Sequence, residues 1–258
     1  MSVPESYRLI APQDITVDID TPARALAIGA HPDDVEFGCG ATLAKWAAAG
    51  CEIFHLICTD GAKGTWDPDV DPAELVTTRR REQRRAAQTL GGHGDDSVVF
   101  LDWPDGELDS GLRQRSEVAY WVRKLRPDVV LGHDPWRPYR IHPDHRHAGL
   151  LACEGIVAAR DPKFFPEQEV PPHRPDLLLL WEAAVVHHVE RVDSVALDSK
   201  VRALLCHESQ FETTMRISGE TDDAMIDAFR CRIVESAGEA GRPAGVEAGE
   251  AFAAIRKL

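Results

Sequence analysis

The 258-residue sequence predicts an α/β protein: a Rossmann-like, mostly parallel sheet flanked by helices, with a less regular C-terminal part. Three observations predict it. Short apolar runs alternate with stretches of helical period, in the order β-α-β-α-β-α-β-α. Hydrophobic residues make up 43% of the chain, enough to bury a core on both faces of such a sheet. Two loops containing His-Pro-Asp each follow a predicted strand, and parallel sheets bind ligands beyond the carboxyl ends of their strands.

Taken in order, "ARALAIGA" reads as a buried strand that stops at His31. "GATLAKWAAAG", 40–50, reads as a helix, because Leu43, Ala44, Ala47 and Ala48 recur at helical spacing and Gly50 can end it. "CEIFHLICTDG" is the second strand, and "DPAELVTTRRREQRRAAQTLGG" a long basic helix closed by two glycines. "SVVFLDWPDG" is the third strand, followed by the helix "LRQRSEVAYWVRKLRP" that Pro127 ends. "DVVLGHDP" is the fourth strand, and the helix "HRHAGLLACEGIVAAR" follows the loop "WRPYRIHPD". Beyond it lies the Pro-rich "FFPEQEVPPHRP". "DLLLLWEAAVVHHVERV" then suggests one or two strands, and "DSKVRALLCHESQF" and "DDAMIDAFRCRIVESAG" suggest helices. "AGEAGRPAGVEAGE" reads as a loose connection. No repeat or domain boundary stands out.

The net charge of -14 argues against non-specific nucleic-acid binding, which needs basic residues against phosphates. No apolar run reaches the roughly 18 residues of a membrane span. The N-terminus lacks a basic segment followed by an apolar core, so a cytoplasmic location is expected. Six irregularly spaced cysteines then read as reduced thiols.

The chemistry concentrates in "AHPDD" and "HPDHRH". Zinc takes imidazole nitrogen and carboxylate oxygen, and a catalytic site keeps three protein ligands and one open position. His31 and Asp34 can share a metal across a tight loop. His142, His145 and His147 offer a further ligand, and His142 and His145, three apart at a helix start, can face one site. Asp33 is free to take a proton from an attacking water. The plainer alternative is that Asp at a strand-to-helix turn only caps the helix.

"AHPDDVEFGCGATLAKWAAAG", "CTDGAKG", "RRREQRRAAQTLGG" and "HPDH" together resemble the LmbE-like (PIG-L) N-deacetylase family, from about Arg24 to Phe211. The resemblance implies one deacetylase domain over 1–258, with 1–23 as a lead-in and 176–258 completing it. It implies zinc ligands His31, Asp34 and His145, with Fe2+ or another divalent metal left open. It also implies Asp33 as general base, His142 as the imidazole facing the oxyanion or the leaving amine, and Asp144 as the carboxylate orienting His142. Arg79 would contact substrate, and His207, in "KVRALLCHESQ", would lie near the pocket rim. Some members carry a tyrosine two residues before the first histidine of "HPDH"; here that position is Arg140, with Tyr139 one residue further back.

The expected activity is hydrolysis of a linear amide C–N bond, removing an N-acyl group, acetyl above all, from a small amino-sugar-like substrate. A homo-oligomer is left open. Two rivals stand beside it: a non-haem iron oxygenase using two His and one Asp, and a non-catalytic metal- or ligand-binding protein of the same fold.

Among the remaining signals, "GCG" (38–40) reads as close helix packing and "HHVER" as a solvent-facing strand edge. The arginine run 79–85 reads as a mostly solvated helix face. "WDPDVDPAE" reads as an acidic loop at the pocket wall, and Trp66, Trp103 and Trp136 as core residues, one of them free to stack on a sugar ring.

Overall fold

In the computed structural model, residues 15–218, 223–256 and 258 are described. Their strands are β1 (Thr16–Val17), β2 (Arg24–Gly29), β3 (Glu52–Thr59), β4 (Val98–Trp103), β5 (Val129–His133), β6 (Leu177–Trp181), β7 (His188–Arg191) and β8 (Gly249–Arg256). They form one sheet in the order β1-β7-β8-β6-β5-β2-β3-β4. β8 pairs antiparallel with both neighbours, and every other pair is parallel. The helices are α1 (Asp34–Ala48), α2 (Pro72–Thr89), α3 (Leu112–Leu125), α4 (Pro143–Arg160), α5 (Ser194–Leu204) and α6 (Asp223–Gly241). None among the described residues is long and apolar enough to cross a membrane.

The alternation of side chains along β2 shows why its sequence is apolar throughout. Ala25 and Ala27 pack with Val35, Leu43 and Trp46 of α1 and Ala86 of α2. Leu26 and Ile28 pack on the other face with Val118 of α3 and Leu151 of α4. Burial on both faces suppresses the polar half of the usual two-residue pattern. The chain runs outward from β2 through β3 to β4, then returns to place β5 on the other side of β2. That reversal opens a crevice at the carboxyl ends of β2 and β5, where such sheets take ligands. Both His-Pro-Asp loops leave the sheet there.

Several elements depart from the expected ones. α1 starts at Asp34, well before Gly40, and breaks at Cys39 (φ -149°, ψ 20°). The second half is the helix the sequence predicted. The break is served from two sides. Glu250, on β8, accepts from the backbone of Ala41 (3.2 Å) and Thr42 (2.8 Å), the opened amino end of the second half. Lys200, on α5, donates to the freed carbonyl of Phe37 (2.8 Å) and pairs with Glu250 (2.6 Å). The tail expected to be a loose connection therefore runs into a full strand, β8, and the lead-in contributes β1. His188, read as solvent-facing, is fully buried against Glu190 (2.8 Å). Trp66 and Trp136, read as core, are 74% and 60% exposed.

We expect Lys200→Met to lower the stability of the fold by about 3–5 kcal/mol, because it leaves the buried Glu250 carboxylate without its cation. Urea unfolding followed by circular dichroism measures this, and a loss below about 1 kcal/mol would show that the pair does not hold the break.

Candidate active site and metal centre

Four loops meet at the crevice. The turn after β2 carries His31, Asp33 and Asp34; the loop after β4 carries Asp105; β5 ends in His133; and the start of α4 carries His142, Asp144 and His145. His142 is the N-cap of α4 and Pro143 its first residue, which sets His142, Asp144 and His145 on consecutive directions around the first turn.

His31 stands among three carboxylates. Its Nδ1 is 3.3 Å from Asp34 Oδ2, and its Nε2 is 3.2 Å from both Asp105 Oδ1 and Asp144 Oδ2. Asp34 reaches in two further directions, with Oδ2 3.2 Å from His133 Nε2 and Oδ1 3.3 Å from His145 Nε2. The His145 ring lies between two others, stacked on His133 (4.4 Å between centroids) and on His142 (4.6 Å). Three overlapping sets bring one ligand atom per residue within 4.8 Å of one another: His31, His142 and His145; Asp34, His133 and His145; and His31, Asp105 and Asp144. His31, Asp34 and His145 each belong to at least one of these sets, and no single set holds all three.

The charges respond to this crowding. Burial opposes protonation of His31, but Asp105, Asp144 and Asp34 outweigh it and hold its pKa well above the usual value. Burial likewise opposes ionisation of Asp34, and the imidazoles of His145 and His133 overcome it, leaving its pKa well below the carboxylate range. Asp33 goes the other way. Burial raises it to about 6, against the pull of Arg79. Burial, with the neighbouring His31 and His145, lowers His142.

The residues suit a divalent cation. Imidazole nitrogens and carboxylate oxygens converge in a buried pocket. His133 Nδ1 accepts from Trp181 Nε1 (3.0 Å) on β6, so Nε2 carries the ring proton and faces Asp34 Oδ2, and His133 orients that carboxylate rather than ligating beside it. Gly38 makes room for that tryptophan, since a β-carbon there would overlap the indole.

Several expected roles are corrected. Asp144 does not reach His142 by a hydrogen bond; it is fully buried, accepts from Gly106 (2.6 Å) and Leu108 (3.2 Å), and holds His31 instead. His207 is not at the rim. It is fully buried, with Nε2 3.5 Å from Glu36 Oε2. Arg79 is not on a solvated face: it is 3% exposed, donates to the carbonyls of Gly61 (2.9 Å) and Pro32 (2.6 Å), and lies 3.6 Å from Asp33 Oδ2. It still lines the cavity, as a clamp rather than an open fork. His147 turns away toward Ser110 (3.2 Å). Tyr139 is 98% exposed, whereas Arg140 is tied to Glu182 (2.8 Å) and His133 (3.3 Å).

Sequence reasoning missed His133 and Asp105. The signal was there, since "VLGHDP" and "DWPDG" each put a ligand-type residue just after a strand. The cavity holds about 350 Å³ and runs from His31, Asp33, Asp34, His142 and His145 to a far wall of Trp66, Gln210, Thr213 and Thr214. That wall is tied down by Glu82, which accepts from Ser209 N (2.9 Å) and Oγ (2.6 Å), and by Gln210 donating to Gly64 (2.9 Å).

Comparison with known proteins agrees with this geometry. Diacetylchitobiose deacetylase of Thermococcus kodakarensis is 36% identical over 191 residues, 73% of this chain and 70% of that protein. The 1D-myo-inositol 2-acetamido-2-deoxy-alpha-D-glucopyranoside deacetylase of Geodermatophilus obscurus is 32% identical over 194 residues, 65% of this chain and 61% of that one. The structure of N,N'-diacetylchitobiose deacetylase from Pyrococcus horikoshii superposes with a TM-score of 0.79 at 29% identity, over 91% of this chain and 84% of that one. The model of the PIG-L family, GlcNAc-PI de-N-acetylase, matches residues 26–155, and with His31, Asp34 and the imidazoles of α4 inside that span the chain belongs to the PIG-L family.

Proposed function

We propose that the protein is a zinc-dependent N-deacetylase acting on a small N-acetylated amino sugar or its glycoside, with His31, Asp34 and His145 as metal ligands and the whole chain as one deacetylase domain. The observation that carries this reading is the placement of Asp33. It is adjacent in sequence to a ligand and lines the cavity beside the cluster, yet it belongs to none of the three ligand sets. A binding site needs no such carboxylate, but a hydrolase does.

A bound divalent cation would polarise the acyl oxygen and acidify water at the site. Asp33, its basicity raised by burial, takes the proton from the attacking water. His142, exposed at the amino end of α4 and lining the cavity, would in its protonated form give its proton to the departing amine. Asp144 and Asp105 hold His31 at its Nε2 and leave its Nδ1 toward Asp34, the orientation that second-sphere carboxylates give a ligating histidine. Arg79 holds the two loops that carry Asp33 and Gly61, so its influence on substrate passes through the shape of the pocket floor. Trp66, Thr213 and Thr214 offer a ring face and hydroxyls, which suit a polyhydroxylated substrate. The relatives named above are deacetylases of N-acetylated sugars, and neither the oxygenase nor the binding-protein alternative has an observation in its favour. Free thiols at Cys39, Cys51, Cys58, Cys153, Cys206 and Cys231 suit the cytoplasm.

Metal analysis of the purified protein is expected to find about one divalent ion per chain, as in mononuclear catalytic sites. His145→Ala should lose most of it, and a chelator should abolish turnover that added zinc restores. Full occupancy in His145→Ala would overturn the ligand assignment.

Asp33→Asn should retain the metal and lose about 10²-fold or more in kcat, the scale of general base catalysis. Amine release measured on N-acetylglucosaminides and on N-acetyl amino acids separates the remaining questions. Faster turnover of the amino acids would remove the sugar reading and keep the amidohydrolase.

A further inference from the structure

Asp33 is a strained residue. It bears a β-carbon, yet its backbone sits at φ 103° and ψ -25°. Such a conformation costs about 1–3 kcal/mol and persists only where the surroundings impose it. The strain is not offset by helix capping, because Asp33 is the N-cap of α1 but its carboxylate makes no capping bond. What imposes the conformation is a second helix. The backbone N–H of Asp33 donates to Oε1 of Gln83 on α2 (3.0 Å).

The orientation of that carboxamide is fixed by its other end. Nε2 of Gln83 donates to Oε1 of Glu36 (2.7 Å) and lies 3.2 Å from His55 Nδ1. An amide N–H can only donate and an ionised carboxylate can only accept, so Gln83 has one way to face. Glu36 Oε1 also lies 3.4 Å from His55 Nδ1, and its Oε2 lies 3.5 Å from His207 Nε2. Gln83, Glu36, His55 and His207 are all fully buried, and no solvent reaches them to replace a lost partner. Gln83 does not line the cavity.

We infer that Gln83 is a positioning residue: its carboxamide, oriented by Glu36, holds the Asp33 peptide in the left-handed conformation that aims the carboxylate into the pocket. The inference rests on Asp33 being the base, as proposed above. A glutamine that merely filled space under α1 would be replaceable by a side chain of the same shape. One that holds a strained catalytic turn is not, because the turn relaxes when its bond is lost and the carboxylate moves away from the water it serves. Displacements of about 1 Å at a reacting group cost about 10²-fold in rate.

The test is Gln83→Met, which keeps the shape and removes both hydrogen bonds, compared with Asp33→Asn and the double variant in the metal-loaded enzyme. Gln83→Met should hold its metal and keep KM within about twofold while kcat falls about 10- to 100-fold. The double variant should be no slower than Asp33→Asn alone, because Gln83 acts only through Asp33. If Gln83→Met does not fold, Gln83→Asn, too short to reach Asp33 and Glu36 together, is measured in the same way. Wild-type kcat in a folded, metal-loaded Gln83 variant overturns the inference, as does a double variant in which the two losses multiply. Unimpaired turnover of Asp33→Asn removes the base assignment and this inference with it. A disabled Asp33→Asn beside an unimpaired Gln83 variant removes this inference alone.

Discussion

Buried negative charge is the constraint around which the crevice is built. Asp33, Asp34, Asp105 and Asp144 are each at most 9% exposed and converge on one pocket. Carboxylates so placed lose their hydration and repel one another, and uncompensated they would protonate or open the structure. The compensation is distributed. The amino ends of α1 and α4 both point into the crevice, bringing the positive ends of two helix dipoles. Backbone amides do much of the rest: His31 donates to Asp34 (2.7 Å), Gly106 and Leu108 to Asp144, and Lys63 to Asp105 (2.9 Å). Arg79 faces Asp33. What remains faces His31, with Asp105 and Asp144 at its Nε2 and Asp34 at its Nδ1.

The same constraint explains why the supports are buried and polar rather than apolar. Arg79 spends its terminal nitrogens on the carbonyls of Gly61 and Pro32, joining the loops after β3 and β2. Asp60 joins the loops after β3 and β4, accepting from Ala62 (3.0 Å) and Asp105 (3.1 Å). Each loop carrying a charged group is thus fastened by a hydrogen bond to another such loop. Apolar packing is non-directional and could not fix a carboxylate oxygen to within the tolerance that metal ligation and proton transfer require.

The fold was legible in the sequence wherever burial imposed a period. β2, β3, β5 and β6 read as apolar runs because both faces are covered, and α2, α3 and α4 read from their spacing. β8 was not legible. Its residues, "GEAFAAIR", are small, and the glycines before it resemble a connection. The first half of α1 was hidden by the break at Cys39, whose repair comes from Lys200 and Glu250, more than 150 residues away. In the site, the clustering of His31, Asp34, His142 and His145 could be anticipated because each loop holds its residues within a few positions. The partner of Asp144 could not, because choosing between His142 and His31 depends on the rotation of α4 relative to the turn after β2. His133 and Asp105 are single residues in separate loops, and only the sheet order brings them to the same place.

The less regular C-terminal part therefore belongs to the chemistry as much as the alternating part does. β6 supplies Trp181, whose indole holds His133, and the residue after it, Glu182, holds Arg140. β6 keeps its place because β8 pairs along its whole length, from Leu177 to Trp181. The same β8 carries Glu250, which secures the second half of α1, while the first half presents Asp34 to the cluster and Glu36 to Gln83. One antiparallel strand thus fastens both walls of the crevice: the His133 wall through β6, and the Asp34 wall through α1. A sheet that ended at β6 would keep most of the ligand-bearing loops and lose the registration between them.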